Sequence, residues 1–155
     1  MYDQYLALNG LRVLVVDSDL DSRDLLTMVF EEYGVETSTA TSASEALAIL
    51  KQVKPDLLIS EICLPKEDGY SLMSKVKAFE SAEQVQIPAI ALTTYASKGD
   101  RACALSVGFC NYLLKPFEID ELIAIVAYLT EHVQLKVCIP PAEKPCGCVG
   151  GRNAN

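Results

Sequence analysis

The sequence predicts an α/β fold, a doubly wound parallel sheet of five strands in the order 2-1-3-4-5. Three observations support this prediction. Short apolar runs alternate along the chain with longer segments of helical periodicity. The alternation occurs five times. The first run, residues 11–17, is almost continuously apolar, which indicates a strand covered by helices on both faces.

Each predicted strand is a short run of apolar and β-branched residues, and Pro88 falls near the start of the fourth, where a missing N–H costs least. The strands cover residues 11–17, 35–40, 55–61, 87–93 and 110–114.

Each predicted helix has apolar residues spaced three and four positions apart. The helices cover residues 20–33, 44–52, 70–79, 98–107 and 119–131. Gly34 is predicted to cap the first helix, Thr41 and Ser42 are candidate N-caps of the second, and Asp68-Gly69 form the turn before the third.

The 155 residues suffice for one domain, predicted over residues 11–133, with an N-terminal extension at 1–10 and a flexible Cys/Pro/Gly-containing tail at 134–155. The net charge of −8 disfavours nucleic acids and anionic membranes as partners. The N-terminus has no basic signal region, and no apolar stretch reaches the roughly 20 residues of a membrane span. We therefore expect a cytoplasmic protein.

Polar residues follow four of the predicted strands at the edge where parallel strands end. They are Asp17, Ser18 and Asp19 after the first strand, Glu61 at the end of the third, Thr93 at the end of the fourth and Lys115 after the fifth. Ligands of doubly wound sheets bind at this edge, so these residues form the candidate site. Asp19 also has the position of an N-cap for the first helix.

Residues 11–131 resemble a bacterial response-regulator receiver domain, which has the flavodoxin-like fold. The likeness lies in Leu-Arg-Val-Leu-Val-Val-Asp at 11–17, Pro-Asp-Leu-Leu at 55–58, Leu-Pro and Asp-Gly within 64–69, Ala-Leu-Thr at 91–93 and Tyr-Leu-Leu-Lys-Pro-Phe at 112–117. The resemblance implies an acidic pair that holds Mg²⁺ and an aspartate that accepts a phosphoryl group. It also implies that a Thr and a Lys grip that group, and that an aromatic residue switches rotamer with the Thr.

The chain matches this pattern at Asp17, Thr93, Lys115 and Tyr112 and departs from it at Ser18 and Glu61. Ser18 replaces an acidic residue, so the pocket charge falls from about −2 to about −1 and Mg²⁺ binding is weakened. Glu61 replaces the phosphoacceptor with a side chain one methylene longer, and in-line phosphoryl transfer tolerates misplacement poorly. The longer carboxylate is expected to pair with Lys115 and to accept a hydrogen bond from Thr93.

The predicted function is a stand-alone, non-enzymatic signalling module in a two-component or phosphorelay pathway, acting without ordinary phosphorylation and needing no cofactor. Glu61 would bias its surface towards the active-like state. Its partner would be a histidine kinase, a phosphotransfer protein or a downstream effector. The expected contact face is the fourth helix, fifth strand and fifth helix, with Tyr95 and Tyr112, although Tyr112 alone is also consistent with a half-buried strand aromatic.

Two alternatives stay open. The first is a working phosphoacceptor, on Glu61 or with Asp19 rescuing a Mg²⁺ site formed by Asp17, Glu61 and the Cys63 backbone. The second is a thiol or metal module. It would use the tail cysteines with His132 as a fourth ligand, although His132 also suits the end of a helix. These cysteines are Cys138, Cys146 and Cys148, whereas Cys63, Cys103 and Cys110 are expected to be small buried or half-buried side chains.

Overall fold

The computed structural model describes residues 8–64, 66–94 and 98–134, and the fold lies within them. Five strands form one sheet: β1 Arg12–Val16, β2 Glu36–Ala40, β3 Leu57–Glu61, β4 Ala89–Thr93 and β5 Asn111–Leu114. Their order is β2-β1-β3-β4-β5, and every neighbouring pair is parallel. The predicted topology is confirmed.

Five helices connect and follow the strands. They are α1 Leu20–Glu32, α2 Ala43–Val53, α3 Gly69–Glu83, α4 Lys98–Val107 and α5 Ile119–Gln134. Buried residues of α1 and α5 share one core with one face of the sheet, while those of α2, α3 and α4 share a second core with the other face. The helices therefore cover both faces, as a doubly wound sheet requires.

Strand β1 shows why its sequence is almost continuously apolar. Leu14 and Val16 belong to the core beneath α2 and α3, whereas Val13 and Val15 belong to the core beneath α1 and α5. Side chains alternate between the two faces of a strand, so a central strand that is covered on both faces needs apolar residues at odd and even positions alike.

The helix caps follow the predicted chemistry. Gly34 has φ +76°, and its N–H donates to the Glu31 carbonyl while the Val35 N–H donates to the Phe30 carbonyl. This is the double hydrogen bond of a Schellman cap, in which glycine avoids the strain of the left-handed region. At the start of α2 the Ser42 hydroxyl accepts from a backbone N–H, so of the two candidates Ser42 is the N-cap.

The third helix is longer than predicted. It begins at Gly69 and continues to Glu83, where Gln84 adopts a left-handed conformation with φ +57°. Its last turn carries few apolar residues, and this is why the apolar spacing underestimated its length.

Two cysteine predictions are wrong. Cys63 and Cys110 are exposed, because each lies in a loop beside a strand rather than inside it, while Cys103 on α4 is half-buried as expected. At the other end of the chain, Leu8 of the predicted N-terminal extension is fully buried in the core shared by α1 and α5.

Several predicted features lie outside the described residues: Tyr95, the tail from residue 135 onward with its three cysteines, and the side chain of His132. Within the described ranges, the search for a helix long and apolar enough to span a bilayer finds none.

Candidate functional site

The predicted site residues meet at the carboxyl edge of the sheet. Val16 of β1 pairs with Ser60 of β3, so the next residues along the two strands, Asp17 and Glu61, lie side by side. On the other side of β3, Thr93 ends β4 and its carbonyl oxygen accepts a hydrogen bond of 2.8 Å from the Lys115 N–H. The strand order thus brings the end of β5 close to the ends of β1 and β3.

Lys115 joins the two acidic residues of the pocket. Its ammonium nitrogen lies 2.7 Å from Asp17 Oδ2 and 3.7 Å from Glu61 Oε2. The side chain of Asp17 is 0% exposed, and those of Lys115 and Glu61 are 15% and 16% exposed. A buried carboxylate needs a charged partner and hydrogen bonds to offset its lost hydration, and Lys115 supplies the charge.

Ser18 supplies the hydrogen bonds that Glu61 accepts. Its backbone N–H and its hydroxyl both lie 3.0 Å from Glu61 Oε1. The expected pairing of Glu61 with Lys115 is present, and the hydrogen bond expected from Thr93 stays a prediction. Ser18 reaches Glu61 because the register of β1 and β3 puts the loop after β1 directly beside the end of β3.

Asp19 points towards its own helix. Its carboxylate accepts hydrogen bonds from the Ser22 N–H and hydroxyl, at 3.1 and 3.0 Å, and it is the N-cap of α1. The bond from the Ser22 hydroxyl is the main reason that the pKa of Asp19 lies below its ordinary value. The Asp19 N–H donates to Asp17 Oδ1 at 2.8 Å. The alternative in which the Asp19 carboxylate completes a metal site is not supported by this geometry.

The remaining predicted positions are buried beside the pocket. Thr93 is buried at the end of β4 and Tyr112 is buried on β5. The guanidinium carbon of Arg101 on α4 lies 5.6 Å from the centre of the Tyr112 ring, within the range of a cation–π contact. Tyr112 is therefore more buried than the half-buried strand aromatic that the sequence analysis gave as the alternative to a switch residue.

The carboxylates fit a divalent cation poorly. Asp17 Oδ1 already accepts a hydrogen bond from the Asp19 N–H, and Asp17 Oδ2 accepts one from the Lys115 ammonium group. Glu61 Oε1 accepts two hydrogen bonds from Ser18. Mg²⁺ would have to displace these donors while gaining a pocket charge of only about −1. In the described part of the chain, no three His, Cys, Asp or Glu side chains are arranged to hold a metal ion.

Two contributors to the site were missed by sequence reasoning. The Arg23 guanidinium on α1 donates to the Asp17 carbonyl oxygen at 2.7 Å and so fixes the loop after β1. Gly69 approaches β3 so closely that a Cβ there would lie 2.7 Å from the Glu61 carbonyl oxygen. The sequence marks Arg23 only as the one basic residue within 20–32, which gives no indication of its contact with Asp17. The sequence indicates Gly69 only as part of a turn.

Comparisons with known proteins agree with this architecture. Residues 13–127 match the response regulator receiver domain family. The chain is 44% identical over 114 residues to an uncharacterized 14.6 kDa protein of Leptolyngbya boryana, an alignment that covers 74% of this chain and 86% of that protein. It is 36% identical over 118 residues to the transcriptional regulatory protein PrrA of Mycobacterium leprae, covering 76% of this chain but only 49% of PrrA.

Among solved structures, the receiver domain of the Francisella response regulator 1452 superposes with a TM-score of 0.71 at 31% identity, covering 80% of this chain and 99% of that one. Receiver domains are signalling modules of two-component pathways that interact with kinases and effectors. The family match covers well over half of the 155 residues and follows the same sheet order. The chain therefore belongs to the response regulator receiver domain family.

Proposed function

We propose that this chain is a receiver that signals through protein contacts without phosphorylation at residue 61. One observation carries the proposal: Glu61 Oε1 accepts both the N–H and the hydroxyl of Ser18, while Oε2 faces Lys115. The side chain at the acceptor position is thus already held by the groups around it.

This arrangement opposes phosphoryl transfer in two ways. An attacking carboxylate oxygen must lie in line with the phosphorus and its leaving group, and an added methylene moves that oxygen by more than such a reaction tolerates. The attack would also break hydrogen bonds to a charged group, each worth about 1.5–3 kcal/mol where the site is sheltered. Lys115 and the Ser18 donors together supply Glu61 with compensation that a metal ion would otherwise give.

In this proposal the site residues have structural roles. Asp17 anchors Lys115, Lys115 compensates both carboxylates, and Ser18 fixes Glu61. Asp19 caps α1, and the Thr93 carbonyl oxygen accepts a hydrogen bond from the Lys115 N–H. No cofactor is required, since every charge in the described pocket has a partner within the chain.

The partner face that we propose comprises α4, β5 and α5. On α4 the exposed Arg101 lies over the buried ring of Tyr112, and Leu114 of β5 and Tyr128 of α5 are exposed apolar side chains. Aromatic and arginine side chains are the residues that most often dominate the energetics of protein interfaces. A histidine kinase, a phosphotransfer protein or a downstream effector would bind there.

Phosphorylation can be tested directly with labelled acetyl phosphate and Mg²⁺. Wild type and Glu61→Gln should both remain unlabelled, because neither presents a competent acceptor. The double variant Ser18→Asp with Glu61→Asp restores an acidic pair and a shorter carboxylate, so it should acquire an acid-stable, hydroxylamine-sensitive label. Equal labelling of wild type and the double variant would overturn the proposal.

A further inference from the structure

One cysteine of helix α4 is bonded to another sulfur. Cys103 is disulfide-bonded and half-buried, whereas Cys63 and Cys110 are exposed free thiols. The chain has six cysteines, and the remaining three belong to the tail: Cys138, Cys146 and Cys148. With Cys63 and Cys110 free, only these three are candidates for the partner of Cys103 within the chain.

The position of Cys103 favours a reversible bond over one that the core requires. Its neighbour Ala104 is fully buried in the core that α4 shares with α2 and α3, so apolar packing already holds this helix to the sheet. The tail cysteines follow Cys103 by 35 to 45 residues and lie beyond Gln134, the last residue of α5. In compartments that keep thiols reduced, the disulfides that form are usually transient or redox-sensing.

We propose that Cys103 is a redox-sensitive site that forms a reversible disulfide with one cysteine of the tail. The oxidant is a small disulfide of the glutathione class. The thiolate of one cysteine attacks a sulfur of this disulfide, which forms a mixed disulfide and releases one glutathione thiolate. The thiolate of the second cysteine attacks the protein sulfur of the mixed disulfide and releases the second glutathione thiolate. Overall the two protein thiols lose two protons and two electrons, and glutathione disulfide gains both to become two glutathione molecules.

The bond joins the tail to a helix of the partner face proposed above. Cys103 lies two residues after Arg101, whose guanidinium lies over the ring of Tyr112. Oxidation would therefore change access to this face, whereas reduction would release the tail from it. This consequence rests on the proposed function, but the bond does not. Thiol counting tests the bond, and labelling with acetyl phosphate tests the proposed function, so the two can fail separately.

The test counts free thiols on the full chain by intact mass. The protein is incubated with glutathione disulfide or with dithiothreitol, then unfolded and alkylated with N-ethylmaleimide. Wild type should carry six adducts after dithiothreitol and four after glutathione disulfide, because the bond consumes two of the six thiols. Returning the oxidised protein to dithiothreitol should restore all six.

Cys103→Ser should carry five adducts in both states, and Cys103→Ala should behave alike, which separates loss of the thiol from an effect of serine at a half-buried position. The matched control Cys110→Ser removes a free thiol and should fall from five adducts to three. Among the single serine variants of the three tail cysteines, one should stay at five and identify the partner.

Three results would overturn the proposal. The first is six adducts on wild type in both states. The second is a glutathione adduct on wild type in place of an internal bond. The third is a loss of two thiols in Cys103→Ser or in all three tail variants, because the bond would then form without Cys103 or without a defined partner.

Discussion

Replacing Lys115 with methionine tests whether the pocket depends on this single cation. Methionine keeps much of the apolar stem and removes the ammonium group. The fully buried Asp17 carboxylate then loses the partner 2.7 Å away and stands beside Glu61 with no cation between them. Removing one partner of a buried ion pair costs about 3–5 kcal/mol. Because Lys115 keeps 15% exposure, we expect the lower end, about 3 kcal/mol.

A matched control comes from a second ion pair of almost the same length. Lys75 lies 2.6 Å from Glu67, but the two side chains are 52% and 25% exposed. Exposed pairs contribute little to stability because water already solvates both charges. Lys75→Met should therefore have only a small fraction of the effect of Lys115→Met, although the two distances differ by only 0.1 Å.

The measurement is urea unfolding followed by circular dichroism, with m-values compared to check that the unfolded states are alike. At about 2–4 °C per kcal/mol for a chain of this size, Lys115→Met should also lower Tm by roughly 6–12 °C. Adding Asp17→Asn to Lys115→Met should recover part of the loss, since it removes the uncompensated charge. Equal effects of Lys115→Met and Lys75→Met, or no recovery in the double variant, would refute the reasoning.

Three further predictions concern the residues around the pocket. Asp19→Ala removes the N-cap of α1 and should lower Tm by about 2–4 °C. Because the pKa of Asp19 is depressed in the folded state, that stabilisation is present above the unfolded value of 3.8 and is lost as the pH falls through the folded pKa. Thermal melts of wild type and variant should therefore converge progressively as the pH falls below 3.8; a constant difference would contradict this. Gly69→Ala places a methyl group against the Glu61 carbonyl oxygen and should cost about 1–3 kcal/mol in urea unfolding, whereas an unchanged midpoint would show that the loop relaxes freely. Leu8→Ala should cost about 2–5 kcal/mol by the same measurement, and a loss below about 1 kcal/mol would mean that Leu8 contributes little to the core.

The fold was predictable because its signals are local and repeated. The apolar run of β1 and the glycine after α1 each reflect a short-range requirement, burial on two faces or a left-handed cap. The partners of Glu61 were less predictable. The sequence predicted Lys115 and Thr93 as partners of Glu61 and did not indicate Ser18, because only the register of β1 against β3 shows that the loop after β1 lies beside Glu61. The contact of Arg23 with the Asp17 carbonyl was beyond prediction, because a backbone acceptor leaves no mark in the sequence.

The two departures from the family pattern are complementary in the structure. A carboxylate at position 18 would repel Glu61 and would have no hydroxyl to donate, whereas Ser18 donates from both its side chain and its backbone. Conversely, a shorter aspartate at position 61 would reach less far towards the loop after β1. The hydrogen bonds from Ser18 therefore hold the charge of Glu61 on the β1 side of the pocket. Ser18 lies two residues before Leu20, where α1 begins. A substitution at Glu61 should accordingly act first on the loop that starts α1, so hydrogen exchange of the amides at 18–22 is the most direct reporter of this contact.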